Sequence, residues 1–182
     1  MVSLKMNKSS SKNIATKVIN LEIEALKVLK KSINNNFDKA VNTIVECQSK
    51  IILCGVGKSG LIAAKISSTL SSVGSPAFSL SANDCLHGDL GSITKKDVLI
   101  LISNSGKSEE LVPIIKFANR NKIKLIGIVS KKNSFLYKAS DIKILLPEVK
   151  ESGLGVVPTS STSIQLAIGD ALAIATMKQK KF

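Results

Sequence analysis

The chain has 182 residues, 44% of them apolar, which is ample for the core of one domain. No apolar run reaches the roughly eighteen residues of a membrane span, and the first residues lack a secretory leader's apolar segment, so a cytoplasmic protein with no membrane partner is expected. The formal charge of +13 comes almost wholly from scattered lysines, with Arg120 the only arginine, one tyrosine (Tyr137) and no tryptophan, which argues against a nucleic-acid partner and favours a small anion.

Residues 1–13 are expected to fray and residues 14–182 to form a single domain. Apolar positions at Ile19, Ile23, Leu26 and Leu29–Ile33 predict a helix over 14–33. Phe37, Val41, Ile44 and Val45 predict a second after the Asn34-Asn35-Asn36 break. Both precede the first strand, so they should pack on the sheet or on a partner subunit. Ile51-Ile52-Leu53-Cys54 reads as a buried strand, followed by a helix over 58–72. Further strands are expected at 77–80, 98–102, 124–129 and 141–146. The helices after them run to Arg120, over 134–139 and over 162–178. The three cysteines, Cys47, Cys54 and Cys85, show no C-x-x-C spacing and fit reduced thiols. Continuous apolar strands separated by helices predict an α/β fold, a three-layer α/β/α sandwich on a five-stranded parallel sheet preceded by N-terminal helices. Ligands of such folds collect at the carboxyl ends of the strands.

Every polar segment of interest follows a strand. Ser103-Asn104-Ser105-Gly106-Lys107-Ser108-Glu109-Glu110 stands between an apolar strand and a helix. Free N–H groups and the positive end of a helix dipole lie at such a turn. With the hydroxyls of Ser103, Ser105 and Ser108 it could cradle a phosphate monoester. The competing reading is a capping turn, with Ser105 or Ser108 as cap and both glutamates in the first helical turn. Gly55-Val56-Gly57-Lys58-Ser59-Gly60 satisfies G-x-G-x-x-G, but only Asp84 could serve as the acidic ribose anchor of a dinucleotide site. A P-loop fails because Ile52 occupies its first glycine position. A second anion nest, with Lys58 as a point charge and Ser59 as a hydroxyl, fits better. His87, the only histidine, is either a surface or capping residue or part of a site. Cys85 and Asp89 flank it without a known ligand frame, so no metal is expected. Glu151 falls in the loop before Pro158-Thr159-Ser160-Ser161-Thr162, where it is either solvated or reaches a shared pocket.

Together these segments resemble the sugar isomerase domain, and specifically the arabinose-5-phosphate isomerases. The matching pieces are Gly55–Gly60, His87-Gly88-Asp89-Leu90-Gly91, the serine loop with Ser108 and Glu110, Lys150-Glu151, and Pro158–Thr162 with Gly169-Asp170-Ala171-Leu172. The resemblance implies a flavodoxin-like sheet, a homotetramer with sites at subunit interfaces, and no cofactor. It implies interconversion of D-arabinose 5-phosphate and D-ribulose 5-phosphate, the first step toward 3-deoxy-D-manno-octulosonate. Ser59, Ser103, Asn104, Ser105 and Ser108 would then hold the phosphate, and Thr159, Ser160 and Ser161 would form a substrate loop. Glu110 would be the base, assisted by Glu151, His87 and Lys58. Members of the group continue with a histidine-proline-glycine-glycine segment, and many carry a pair of cystathionine-synthase-type modules. The sequence ends at Phe182 before these, which reads as an isomerase domain of a longer protein or a short form.

Overall fold

The computed structural model describes residues 10–152 and 155–182. Five parallel strands form one sheet: β1 (Ile51–Gly55), β2 (Ala77–Ser81), β3 (Val98–Ile102), β4 (Lys124–Val129) and β5 (Ile142–Leu145). Their order is β2-β1-β3-β4-β5, so the chain winds to one side of β1 and then to the other. The helices are α1 (Ser11–Ser32), α2 (Asn35–Val45), α3 (Lys58–Ser72), α4 (Ala82–Cys85), α5 (Leu111–Arg120), α6 (Phe135–Ala139) and α7 (Ser160–Lys180).

The apolar runs are continuous because both faces of the sheet are covered, and alternate residues serve opposite faces. Ile51, Leu53, Val98, Ile100 and Ile102 pack with Ile66 and Leu70 of α3 and with Ile164, Ile168 and Leu172 of α7. Ile52, Cys54, Leu99 and Leu101 pack against Ile114 and Ile115 of α5 and Leu136 of α6. The expected three-layer sandwich is therefore present.

Two local features differ from the sequence reading. Helix α1 starts at Ser11, inside the stretch expected to fray, with the Ser10 hydroxyl accepting from Asn13 N–H (3.3 Å); residues 1–9 lie outside the described residues. It packs on α7 through Ala25 and Leu29, leaving Ile19, Ile23 and Leu26 exposed. Its apolar positions thus form two faces, and only one meets this chain. Helix α4 and the 3-10 turn Asp89–Ser92 were not anticipated, since four residues are too few to display a helical period.

At the opposite end of the sheet, Asp97 is buried just before β3. Its carboxylate accepts from Thr94 N–H (2.7 Å), Thr94 Oγ1 (3.0 Å) and Lys50 N–H and Nζ (3.2 Å each), tying the entries of β1 and β3 together.

Candidate active site

The strand order reverses between β1 and β3, and Gly55 pairs with Ile102 at their carboxyl ends. The loops that follow therefore leave the sheet side by side, at the crevice where ligands of doubly wound sheets bind. After β1 the chain turns at Gly57 (φ 58°) straight into α3. A Cβ on Gly60 would lie 2.8 Å from the Gly55 carbonyl oxygen, so this turn admits no side chain there. Among the described residues no side chain caps α3, which leaves its first N–H groups and its positive dipole end open.

After β3 the serine loop folds on itself. Ser103 is buried; its Oγ lies 3.0 Å from Ser108 Oγ and accepts from Gly106 N–H at 3.0 Å. Ser130 Oγ donates to Asn104 Oδ1 (2.7 Å), and Ser130 N–H donates to the Asn104 carbonyl (3.0 Å), binding this loop to the end of β4. The capping alternative is not what forms. Neither Ser105 nor Ser108 caps α5, and Glu109 and Glu110 precede its first turn, with Glu110 at the cap position. The hydroxyl that resembles a cap in sequence is engaged by Ser103 instead. Gly106 sits at φ 62°, and a Cβ there would fall on Ser134 Oγ. Gly106→Ala is expected to cost about 2 kcal/mol, from a left-handed backbone and this overlap. Urea unfolding measures it, and an unchanged midpoint would mean the turn relaxes without strain.

Glu151 lies across from these loops, after β5. Its Oε2 accepts from Thr159 N–H (2.8 Å) and Thr159 Oγ1 (3.1 Å), and Ser161 N–H lies 3.3 Å from both its oxygens. Burial pushes its pKa up, but the hydrogen bonds from Ser161 and Thr159 outweigh this and hold the carboxyl below its ordinary value. It is a cap for α7, the third helix start near the crevice, and already neutralises that dipole end. An open positive helix end is left at α3; at α5 the Leu111 and Val112 N–H groups already donate to the Ser108 and Glu109 carbonyls, and Pro113 has none to offer.

Lys58, Ser59, Asn104, Glu151, Ser161, Thr162 and Gln165 line a cavity of about 300 Å³ between α3 and α7. Thus Lys58, Ser59, Asn104, Glu151 and Ser161 line one cavity, and Thr159 joins them through Glu151. Ser160 is fully buried and turns away from solvent. Ser103, Ser105, Ser108 and Glu110 are not among the lining residues. No hydrogen bond to the Glu110 carboxylate is made among the described residues. His87 is exposed, in the segment between α4 and the 3-10 turn, and is not among the residues that line this cavity. Gly153 and Leu154 of the expected loop lie outside the described residues. Sequence reasoning missed Gln165 and Ser130. Gln165 had one available signal, a polar residue four places after Ser161 on an otherwise apolar stripe.

The model of the SIS domain family matches residues 44–175. The chain belongs to this family. This SIS domain is 43% identical to the arabinose 5-phosphate isomerase KdsD of Francisella tularensis over 98% of its own length and 56% of the relative's. It is 42% identical to KdsD of Yersinia pestis over 91% of its length and 51% of that protein. The SIS chain thus spans about half the length of the curated relatives it matches. Among solved structures, an Escherichia coli CFT073 protein in complex with arabinose 5-phosphate superposes with a TM-score of 0.92 at 33% identity, covering 97% of this chain and 95% of that one.

Proposed function

We propose that the chain is an aldose–ketose isomerase that interconverts D-arabinose 5-phosphate and D-ribulose 5-phosphate. The observation that carries this is the joining of Lys58, Ser59, Asn104 and Glu151 in one cavity above the β1/β3 crevice, in a chain this similar to proteins named for that reaction. The phosphate would sit against the open start of α3, where Ser59 and the neighbouring serine loop supply hydroxyls. Isomerisation moves a proton between C1 and C2 through a cis-enediol and needs a base with free lone pairs. Glu110 fits that role better than Glu151, whose oxygens already accept from α7. Lys58 would stabilise charge developing on the enediol oxygens. His87 does not line this cavity, and in the proposed homotetramer it would serve a neighbouring subunit. The exposed apolar face of α1 would supply a contact between copies. We place the reaction in the cytoplasm, at the first step toward 3-deoxy-D-manno-octulosonate.

A second reading has one observation in its favour. Of the proposed catalytic groups, Glu110 and His87 do not line the cavity and Glu151 is engaged, as in a domain that binds a sugar phosphate without converting it. Incubating this chain with D-arabinose 5-phosphate and following ketose formation separates the two. Turnover supports the isomerase. Thermal stabilisation by the sugar phosphate without turnover supports the binding domain.

A further inference from the structure

Gln165 stands one helical turn after Ser161, on the α7 stripe that also carries Ile164, Ile168 and Leu172. Its side chain is 1% exposed, yet it lines the cavity. A buried amide must place an acceptor and two donors. Its Oε1 accepts from Ser59 Oγ at 3.1 Å. Among the described residues, nothing accepts from its Nε2. The amide is therefore half satisfied, and its open half belongs to the wall of the cavity.

This bond sets a condition on Ser59. A hydroxyl has one hydrogen, and here it is committed to Gln165. A phosphate dianion offers only acceptors, so the Ser59 hydroxyl can hold it only by turning that hydrogen toward it. Doing so would leave Gln165 Oε1 facing the Ser59 lone pairs in a buried place, an unfavourable contact. Reversal of the amide removes the conflict at Ser59 and turns Oε1 to the cavity wall, which the Lys58 ammonium, a donor, also lines. The last torsion of glutamine is broad and two-fold, and the two ends of the amide have nearly the same shape.

We propose that Gln165 is a positioning residue for Ser59, whose amide reverses when a phosphate monoester enters the cavity. Nε2–H then donates to Ser59 Oγ, and Ser59 donates to a phosphate oxygen. The relay polarises Ser59 and strengthens its charge-assisted bond. The inference rests on the reading of Ser59 as a phosphate ligand given above.

The test compares Gln165→Glu, Gln165→Met, Ser59→Ala and the Gln165→Glu/Ser59→Ala double variant at pH 8, each first checked for a native circular dichroism spectrum. Affinity for inorganic phosphate is measured by calorimetry, and KM and kcat are measured with D-arabinose 5-phosphate. A glutamate at this position has the size of glutamine but can only accept, so it keeps the Ser59 hydrogen. Gln165→Glu and Ser59→Ala are each expected to weaken phosphate binding roughly tenfold, with the change falling on KM rather than kcat. Gln165→Met, which frees the hydroxyl without orienting it, should cost about threefold. The double variant should be no more than about twofold weaker than Gln165→Glu alone, because the hydrogen is already withheld.

Multiplying losses in the double variant would mean simple charge repulsion and overturn the relay, as would unchanged affinity in Gln165→Glu or no phosphate binding by the unaltered chain. Phosphate binding with the expected non-additivity but no isomerisation would refute the proposed activity and leave the relay standing. Isomerisation with multiplying losses would refute the relay alone.

Discussion

Glu110→Gln is expected to lower kcat for D-arabinose 5-phosphate by roughly a hundred- to ten-thousand-fold, while the sugar phosphate still stabilises the protein against heat. An amide matches the carboxylate in size but cannot take the proton from carbon. What singles out this residue is availability. Glu151 accepts from Thr159 and Ser161, and those bonds hold its pKa down, which makes it a poor base. Glu110 begins α5 beside the serine loop, and no described residue donates to its carboxylate. Glu151→Gln should behave differently. It keeps an acceptor for Thr159 but loses the charge at the α7 start, so a lower melting temperature should accompany any loss of rate. Retention of more than about a tenth of the activity by Glu110→Gln would remove Glu110 from the base role, since general-base contributions are larger than that.

Asp97→Ala is expected to destabilise the chain by about 3 kcal/mol at neutral pH, read from urea unfolding. Truncation strands Thr94 N–H and Lys50 N–H together at the entry to β1 and β3, and leaves the Lys50 ammonium without its partner. Burial pushes the Asp97 pKa up, but the hydrogen bonds from Thr94, Ser49 and Lys50 prevail and hold it below its ordinary value. A carboxyl lowered in the folded state lends its full stabilisation above its unfolded pKa, near about 4. That stabilisation is lost as pH falls through the lower folded value. The gap between Asp97→Ala and the unaltered protein should accordingly narrow below about pH 4. Glu151 contributes with the same sign, so some acid sensitivity should survive in the variant. A gap that stayed constant down to acid unfolding would show that the charge of Asp97 is not what matters.

The sheet was legible because burial on both faces leaves strands such as Val98–Ile102 with no polar position at all. The crevice followed from placing each polar segment after a strand. What escaped were relations that depend on distance in space. A hydroxyl at Ser108 looks like a helix cap until Ser103 is seen to engage it. Glu151 looks solvated until the loop brings Thr159 and Ser161 back to it. Gln165 looks like any helix-forming residue, because nothing local announces that Ser59 waits across the cavity. His87 stood out as the only histidine, but uniqueness in sequence does not determine which residues a side chain will stand beside.

Helix α7 carries a consequence for how the protein acquires its site. The Ser59–Gln165 bond joins residues 106 positions apart, and Asn42 and Gln179 are bonded across 137. Lys65 pairs with Asp170 over a similar span. During synthesis the five strands emerge before α7, so the sheet can form while the cavity still lacks a wall. Contacts this distant repay their loop-closure entropy only late in folding. The cavity of Ser59 and Gln165 is then complete only once α7 has docked, and a ligand that bridges α3 and α7 is expected to slow the release of α7 more than it speeds the formation of the sheet.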